Sequence, residues 1–353
     1  MPVFHPLRVV DVRRETADTV SVAFAVPDEL REAYIFSPGQ HLTFRMPGPD
    51  GDEVRRSYSI CSGLDDGDLR VAVKSLPGGV FGVYANERLA VGDVLDVMTP
   101  VGRFTASLDP ANEKAYLGIA AGSGITPVIS LIRSALGREP HSRFVLVYGN
   151  RGPSTVIFRD ALEDLKDRYL DRLQIIHVFS REQQQAPLLN GRLDADKLRA
   201  LAKTLLDVPA YDEVFICGPE EMTLTARDTL VDLGADAAHV HLELFGSHAP
   251  AAPRPHRQTG DRRRITITVN GVTTDVEAHP DDTVLEAGEL AGLDLPYSCR
   301  GGVCSTCRAK VVDGAVEMDN NYALEPWETK AGFVLTCQSH PTTDRLVVDY
   351  DAV

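Results

Sequence analysis

The stretch Cys299-Arg-Gly-Gly-Val-Cys304-Ser-Thr-Cys307, answered thirty residues later by Cys337, decides how the rest of the chain is read. Its spacing, C-x4-C-x2-C with a distant fourth cysteine, is the plant-type pattern for four thiolates around a [2Fe–2S] cluster. Soft thiolates suit iron–sulfur chemistry, and Gly301 and Gly302 let the loop backbone come close enough to aim N–H groups at the sulfurs. The plain alternatives are a structural zinc site or four unrelated buried thiols. Zinc sites favour paired C-x2-C knuckles, and this stretch has one such pair.

Around these cysteines, residues 264–353 resemble a plant-type ferredoxin domain. The match covers the strand pair Ile265–Val269 and Thr273–Val276, a helix near Thr283–Ala291, the cysteine loop, and the closing Leu335-Thr-Cys337-Gln338. The resemblance implies an α+β, β-grasp fold with Cys299, Cys304, Cys307 and Cys337 as cluster ligands.

The chain has 353 residues, enough for two or three domains with separate cores, and its 43% hydrophobic and 25% charged composition is that of ordinary globular protein. No apolar run approaches eighteen residues, and Met1-Pro-Val-Phe-His-Pro lacks a basic segment followed by an apolar one, so the expected location is the cytoplasm. Cys61 and Cys217 stand alone in strand-like apolar contexts, so all six cysteines are accounted for without a disulfide. A reducing compartment fits. The net charge of −15 argues against nucleic acid and anionic membrane as partners. Residues 264–353 alone hold 15 Asp and Glu against 6 Lys and Arg, a net of −9. No internal repeat is present.

Outward from the cysteines, the preceding residues divide by pattern. Residues 1–108 alternate in short stretches, Arg8–Val12, Thr19–Phe24, His41–Phe44, Arg56–Ile60, Leu69–Lys74 and Val94–Met98, which predicts an antiparallel β-barrel or sandwich. Residues 109–247 alternate strand and helix, which predicts a parallel sheet covered by helices. The strands are Ala115–Ala120, Arg143–Tyr148, Leu173–Val178, Glu213–Cys217 and Val240–Leu244; helices fall near 127–137, 155–168, 194–205 and 219–233. Residues 248–263, with Pro250, Pro253 and Pro255 and several arginines, read as an extended tether to the cysteine domain at 264–353.

Arg56-Ser57-Tyr58-Ser59 resembles the R-x-Y-S motif of the ferredoxin–NADP reductase superfamily. There the arginine meets the flavin phosphate, the tyrosine packs on the isoalloxazine and the serine reaches toward N5, each residue type suited to its task. Gly78-Gly79-Val80 open a helix whose free N–H groups suit a pyrophosphate. The family usually has serine or threonine where this chain has Gly82, which removes one hydroxyl donor.

The same superfamily places a glycine-rich turn after the first parallel strand, here Gly122-Ser-Gly124-Ile-Thr126-Pro127, where close approach of the nicotinamide cofactor's phosphates needs small residues and Thr126 with Pro127 would cap the helix. Cys217-Gly218-Pro219 matches its C-G-P-x-x-M stretch against the nicotinamide. Glu243 and Phe245 alternate on a strand and resemble the segment that closes the flavin pocket. Ser59, Cys217 and Glu243 are thereby expected to be catalytic. Arg151 and the pair Ser180-Arg181 supply cation and hydroxyl for a 2′-phosphate, so NADPH is expected in preference to NADH.

The domain order flavin, nucleotide, ferredoxin resembles the reductase components of bacterial multicomponent oxygenases. The likeness runs furthest to the reductase components of phenylacetyl-CoA epoxidase complexes, on Arg55–Cys61, Tyr148–Arg151, Ser180–Glu182, and Cys304–Cys307 with Met318–Leu324, and next to 3-ketosteroid 9α-hydroxylase reductases. It implies FAD rather than FMN, a [2Fe–2S] cluster, NADPH, and an oxygenase component as electron acceptor. A redox sensor that carries both cofactors without turnover is the alternative of another class, and it would not need the nucleotide residues that this chain retains.

Overall fold

The computed structural model describes residues 3–49, 51–245 and 262–352. By contact density the chain divides into a larger unit, residues 4–54 and 58–245, and a smaller one comprising residues 262–352 with the short pieces 3 and 55–57. The predicted proline-rich tether lies, from 248 to 261, outside the described residues; Arg263 already begins a strand.

The larger unit opens with six antiparallel strands, β1 (Phe4–Thr16), β2 (Thr19–Ala25), β3 (His41–Pro47), β4 (Glu53–Ser59), β5 (Leu69–Lys74) and β6 (Val94–Met98), in the order β4-β3-β6-β1-β2-β5. The two end strands meet, because Ile60 bridges Val71 and Cys61 N–H donates to the Arg70 carbonyl at 2.9 Å. That closure makes the sheet a barrel, and two register breaks in β1, at Val9/Asp11 and Arg14/Thr16, supply the bending it needs. The barrel interior is filled by Leu7, Val22, Leu42, Phe44, Ile60 and Val71, all essentially inaccessible to solvent. Helix α1 (Val80–Glu87) follows β5.

The strand–helix alternation then yields five parallel strands, β7 (Ala115–Ala121), β8 (Arg143–Asn150), β9 (Leu173–Phe179), β10 (Glu213–Gly218) and β11 (Val240–Leu244), in the order β11-β10-β7-β8-β9. Helices α2 (Ile125–Arg138), α3 (Arg159–Arg168), α4 (Ala195–Ala202) and α5 (Glu220–Asp232) connect them. Two buried clusters in this part account for the near-continuous apolar strands, one containing Val128, Ile132, Phe144 and Leu146, the other Leu117, Val145, Ile176 and Ile216. The sequence order reverses at β7, and that switch point places the strand ends after β7 and β10 beside each other.

Two boundaries differ from expectation. The helix expected from 155 starts at Arg159, because Pro153–Thr155 forms a 3-10 turn and Phe158 adopts the left-handed region at φ 61°, which no helix continues through. The cap of α2 is Gly124, with Thr126 and Pro127 already inside the helix.

The smaller unit is a mixed sheet of β12 (Arg263–Val269), β13 (Val272–Ala278), β14 (Arg308–Asp313), β16 (Phe333–Leu335) and β18 (Arg345–Asp349), ordered β13-β12-β18-β14-β16. Only β12 and β18 run parallel; the other pairs are antiparallel. Helix α6 (Val284–Leu290) starts in a reciprocal capping box between Thr283 and Glu286 and buries Val284, Leu285 and Ala287 in the core with Ile265, Ile267 and Val348. A two-stranded ribbon, β15 (Val316–Met318) with β17 (Ser339–Pro341), and helix α7 (Pro326–Lys330) complete a β-grasp fold.

Candidate functional site

Register places the first group of site residues. Strands β10 and β11 pair Cys217 with Glu243 at their carboxyl ends, and Ser59, the last residue of β4, donates its hydroxyl to Glu243 Oε2 at 2.7 Å. Cys217 Sγ lies 4.0 Å from the same oxygen. Removal from water pushes the Glu243 carboxyl up to about 7, against the opposing hydrogen bond from Ser59, and burial with the Glu243 charge pushes the Cys217 thiol well up, so it stays neutral. Three predicted catalytic residues from three strands thus share one proton-bearing cluster.

A carboxyl raised in this way favours the folded state fully below its ordinary value of 4.5, and that contribution is lost as pH rises toward about 7. The displacement is worth about 3 kcal/mol. In flavin-free protein, the melting-temperature advantage of Glu243→Gln over wild type is therefore expected to grow between pH 5 and pH 8, read by thermal unfolding across that range. A constant difference would mean that Glu243 ionises normally.

Tyr58, partly exposed beside Ser59, rests against Phe81 of α1 at 5.3 Å between ring centroids, which leaves part of its ring open to a flat ligand. Arg56 is exposed two residues earlier on the same strand. Gly78 takes φ 78° in the turn before α1, Gly79 is the helix cap and Val80 its first residue. The Gly79 N–H donates to the Leu76 carbonyl at 3.0 Å, which leaves the N–H groups of Gly78 and Val80 where the sequence predicted a pyrophosphate. Gly82 has a structural reason: a Cβ there would lie 2.9 Å from the Lys74 carbonyl oxygen, so helix and strand approach only because the hydroxyl-bearing residue is missing.

A cleft of about 780 Å³ opens at the carboxyl ends of the parallel strands. Its walls include the predicted Gly122, Arg151, Ser180, Arg181, Gly218, Pro219 and Phe245. Gly124, Thr126 and Pro127 do not line it. Gly124 instead allows close packing, since a Cβ there would fall 2.0 Å from the Cys217 carbonyl oxygen, and the Thr126 hydroxyl donates to the Ser123 carbonyl at 3.0 Å. Backbone bonds from Ser180 N–H to the Asn150 carbonyl and from Arg181 N–H to the Arg151 carbonyl, both 2.9 Å, hold the two cationic segments together.

Sequence reading missed Arg192 and quoted Asn150 only as part of the Tyr148–Arg151 stretch, without a role. Arg192 lines the same cleft; like Arg151 and Arg181 it is exposed and forms no ion pair among the described residues. Three uncompensated guanidinium groups around one cleft suit a phosphorylated ligand. The Nδ2 of Asn150 is buried without a hydrogen-bond partner, a donor that a ligand in the cleft would satisfy. These observations fit a pyridine nucleotide.

In the smaller unit the cysteines form two pairs. Cys299 N–H donates to Cys304 Sγ at 3.5 Å and Gly301 N–H to Cys299 Sγ at 3.3 Å, while the Cys337 side chain beside Cys307, together with burial, pushes the Cys307 thiol well above its usual range. The Cys304 thiol and the N–H groups of Gly301, Val303 and Cys304 hold the Cys299 sulfur below the usual thiol range. The loop reaches this shape through left-handed backbone at Arg300, Gly302 and Ser305. Among the described residues no three His, Cys, Asp or Glu side chains converge as a single-ion site. Two cysteine pairs suit a binuclear cluster that takes two thiolates on each iron.

A flavin barrel, a nucleotide cleft and a cysteine loop together define a flavin- and iron–sulfur-dependent reductase. Family patterns agree: "Oxidoreductase FAD-binding domain" matches residues 6–106, "Oxidoreductase NAD-binding domain" residues 119–228 and "2Fe-2S iron-sulfur cluster binding domain" residues 267–342. The chain is 45% identical to a 1,2-phenylacetyl-CoA epoxidase subunit of Escherichia coli (strain K12), over 100% of this chain and 99% of that one. It is 37% identical to the ferredoxin reductase component of 3-ketosteroid-9-alpha-monooxygenase of Rhodococcus rhodochrous, over 98% and 96%. Phthalate dioxygenase reductase has the same fold, with a TM-score of 0.57 at 24% identity and 98% of each chain covered. The chain belongs to the family of FAD- and pyridine-nucleotide-binding reductases with a C-terminal [2Fe–2S] domain that includes this phenylacetyl-CoA epoxidase component. It is an electron-transfer oxidoreductase. Among the described residues no helix is long and apolar enough to cross a membrane.

Proposed function

We propose that this chain passes electrons from NADPH, through FAD and the cluster held by Cys299, Cys304, Cys307 and Cys337, to a diiron oxygenase component that epoxidises phenylacetyl-CoA. The observation that carries the choice of acceptor is the full-length 45% identity to the phenylacetyl-CoA epoxidase component, against 37% for the ketosteroid monooxygenase component. FAD, when bound, takes an electron pair as hydride and releases single electrons, which a one-electron cluster requires. Arg56 would meet its phosphate, Tyr58 would cover its ring and the N–H groups of Gly78 and Val80 would face its pyrophosphate. Ser59, Cys217 and Glu243 form the wall beside the reacting atoms, where Ser59 and the high-pKa Glu243 hold a proton within one hydrogen-bonded group. Gly122, Gly218 and Pro219 leave room for the nicotinamide nucleotide, and Phe245 covers the remaining face. Ser180, Arg181, Arg151 and Arg192 favour NADPH over NADH, because a 2′-phosphate answers cations that a ribose diol leaves unpaired. Six free cysteines suit the reducing cytoplasm.

The net −9 of residues 264–353 supports docking of the cluster domain on a basic face of the oxygenase. Exposed charges more than about 8–10 Å apart are screened at physiological ionic strength, so electron transfer to the purified oxygenase is expected to slow as salt rises while reduction of the flavin at saturating NADPH does not. A transfer rate indifferent to salt would remove the electrostatic docking. Reduction of a steroid hydroxylase but not of a phenylacetyl-CoA epoxidase, at any salt, would move the acceptor to the steroid class.

A further inference from the structure

Gln338, the residue after the fourth cysteine, is 2% exposed, and its amide is bonded at both ends. Its Nε2 donates to the Arg300 carbonyl at 2.9 Å and to the Cys337 carbonyl at 2.9 Å, and lies 3.7 Å from Cys337 Sγ. The two backbone carbonyls can only accept, which settles Nε2 as the end of the amide that faces the sulfur, and Asn320 Nδ2 then donates to Gln338 Oε1 at 3.1 Å. The Gln338 carbonyl in turn accepts from Asp319 N–H at 2.9 Å, so the segment carrying Asn320 is itself anchored. Gly302, at φ 78°, packs on this side chain so closely that a Cβ would lie 3.3 Å from Gln338 Cγ and 3.0 Å from the Asn320 carbonyl oxygen. One side chain therefore joins the cysteine loop, the distant fourth cysteine and the segment after β15.

We propose that Gln338 is a positioning residue for the cluster, tying the loop of Cys299 and Cys304 to Cys337 and presenting an N–H to the Cys337 sulfur that raises the cluster's reduction potential. Reduction adds negative charge to the cluster, and that charge spreads onto the ligand sulfurs. A donor fixed toward a sulfur stabilises the reduced form more than the oxidised one. Two hydrogens on Nε2 serve three acceptors, so one is held by Arg300 and the other is shared between the Cys337 carbonyl and sulfur. An apolar side chain of the same length would fill the space and supply none of this.

The proposal rests on the four cysteines being the ligands, and an EPR-monitored redox titration of the full-length holoenzyme separates the two claims. Absence of a reduced-cluster signal in wild type would overturn the ligand assignment. With the signal present, Gln338→Met is expected to shift the midpoint to a more negative potential, and Asn320→Ala, which keeps Gln338 but removes the anchor on its Oε1, to shift it the same way by less. Wild-type midpoints in both variants would overturn the role of Gln338. If Gln338→Met holds no cluster, Asn320→Ala alone decides, and an unshifted midpoint there overturns the proposal.

Discussion

Cys304→Ala is expected to abolish the cluster's visible absorption and EPR signal while NADPH still bleaches the flavin. The thiolate is a ligand atom with no substitute nearby, since the two remaining cysteines of the chain, Cys61 and Cys217, are buried in the larger unit. The barrel and parallel-sheet cores beneath the flavin and nucleotide residues share no member with the core of the smaller unit, where Ile265, Leu285, Cys307 and Val348 pack together; of the flavin residues, Arg56 lies in the short piece 55–57 that groups with that unit. Units with separate cores tolerate local loss. Iron and acid-labile sulfide analysis beside anaerobic stopped-flow bleaching checks both halves. Full iron–sulfur absorption in the variant would remove Cys304 from the ligand set.

Arg181→Ala is expected to weaken NADPH use roughly tenfold or more, with a much smaller effect on NADH. A charge-assisted contact to phosphate contributes about 1.5–3 kcal/mol, and every ~1.4 kcal/mol is tenfold in binding. Arg181 is held at the cleft by its backbone bond to Arg151, and its side chain has no ion-pair partner among the described residues to redirect it. Arg151 and Arg192 remain in the variant, so binding is reduced but not abolished. Steady-state kcat/KM with each nucleotide gives the result. Equal losses with both would mean that Arg181 does not meet the 2′-phosphate.

Fold class was legible from two sources: strand alternation marked a barrel or sandwich and apolar strands between helices marked the nucleotide part, while the β-grasp fold of the last part followed from the ferredoxin resemblance around the cysteines and not from their spacing. Ser59, Cys217 and Glu243 could be named from motifs, but their convergence depends on the register of Cys217 against Glu243 and on where β4 ends. No local pattern encodes that pairing. Thr126 looked like a helix cap by residue type, yet the tight approach of Gly124 to the end of β10 fixes the helix start two residues earlier. Arg192 was invisible for a different reason. It follows a 3-10 turn at Pro187–Leu189 and reaches the cleft because Asn190 bridges Phe179 and Gly191 N–H donates to the Phe179 carbonyl at 2.8 Å, adding a short piece of chain beside β9. The Asn190-Gly191 pair before it, whose glycine takes φ 114° in the structure, was the signal the sequence offered. Gln338 was quoted only as the neighbour of a cysteine, since a lone glutamine carries no spacing rule.

The claim that electrons leave the nucleotide through flavin to the cluster on this one chain is tested most directly by anaerobic mixing of the holoenzyme with NADPH, followed by flavin absorbance and by EPR of rapidly frozen samples. Flavin bleaching is predicted first, with the reduced-cluster signal growing after it and absent from flavin-free protein. A cluster reduced by NADPH at the same rate without flavin, or a holoenzyme whose flavin bleaches while its cluster stays oxidised, would contradict that path.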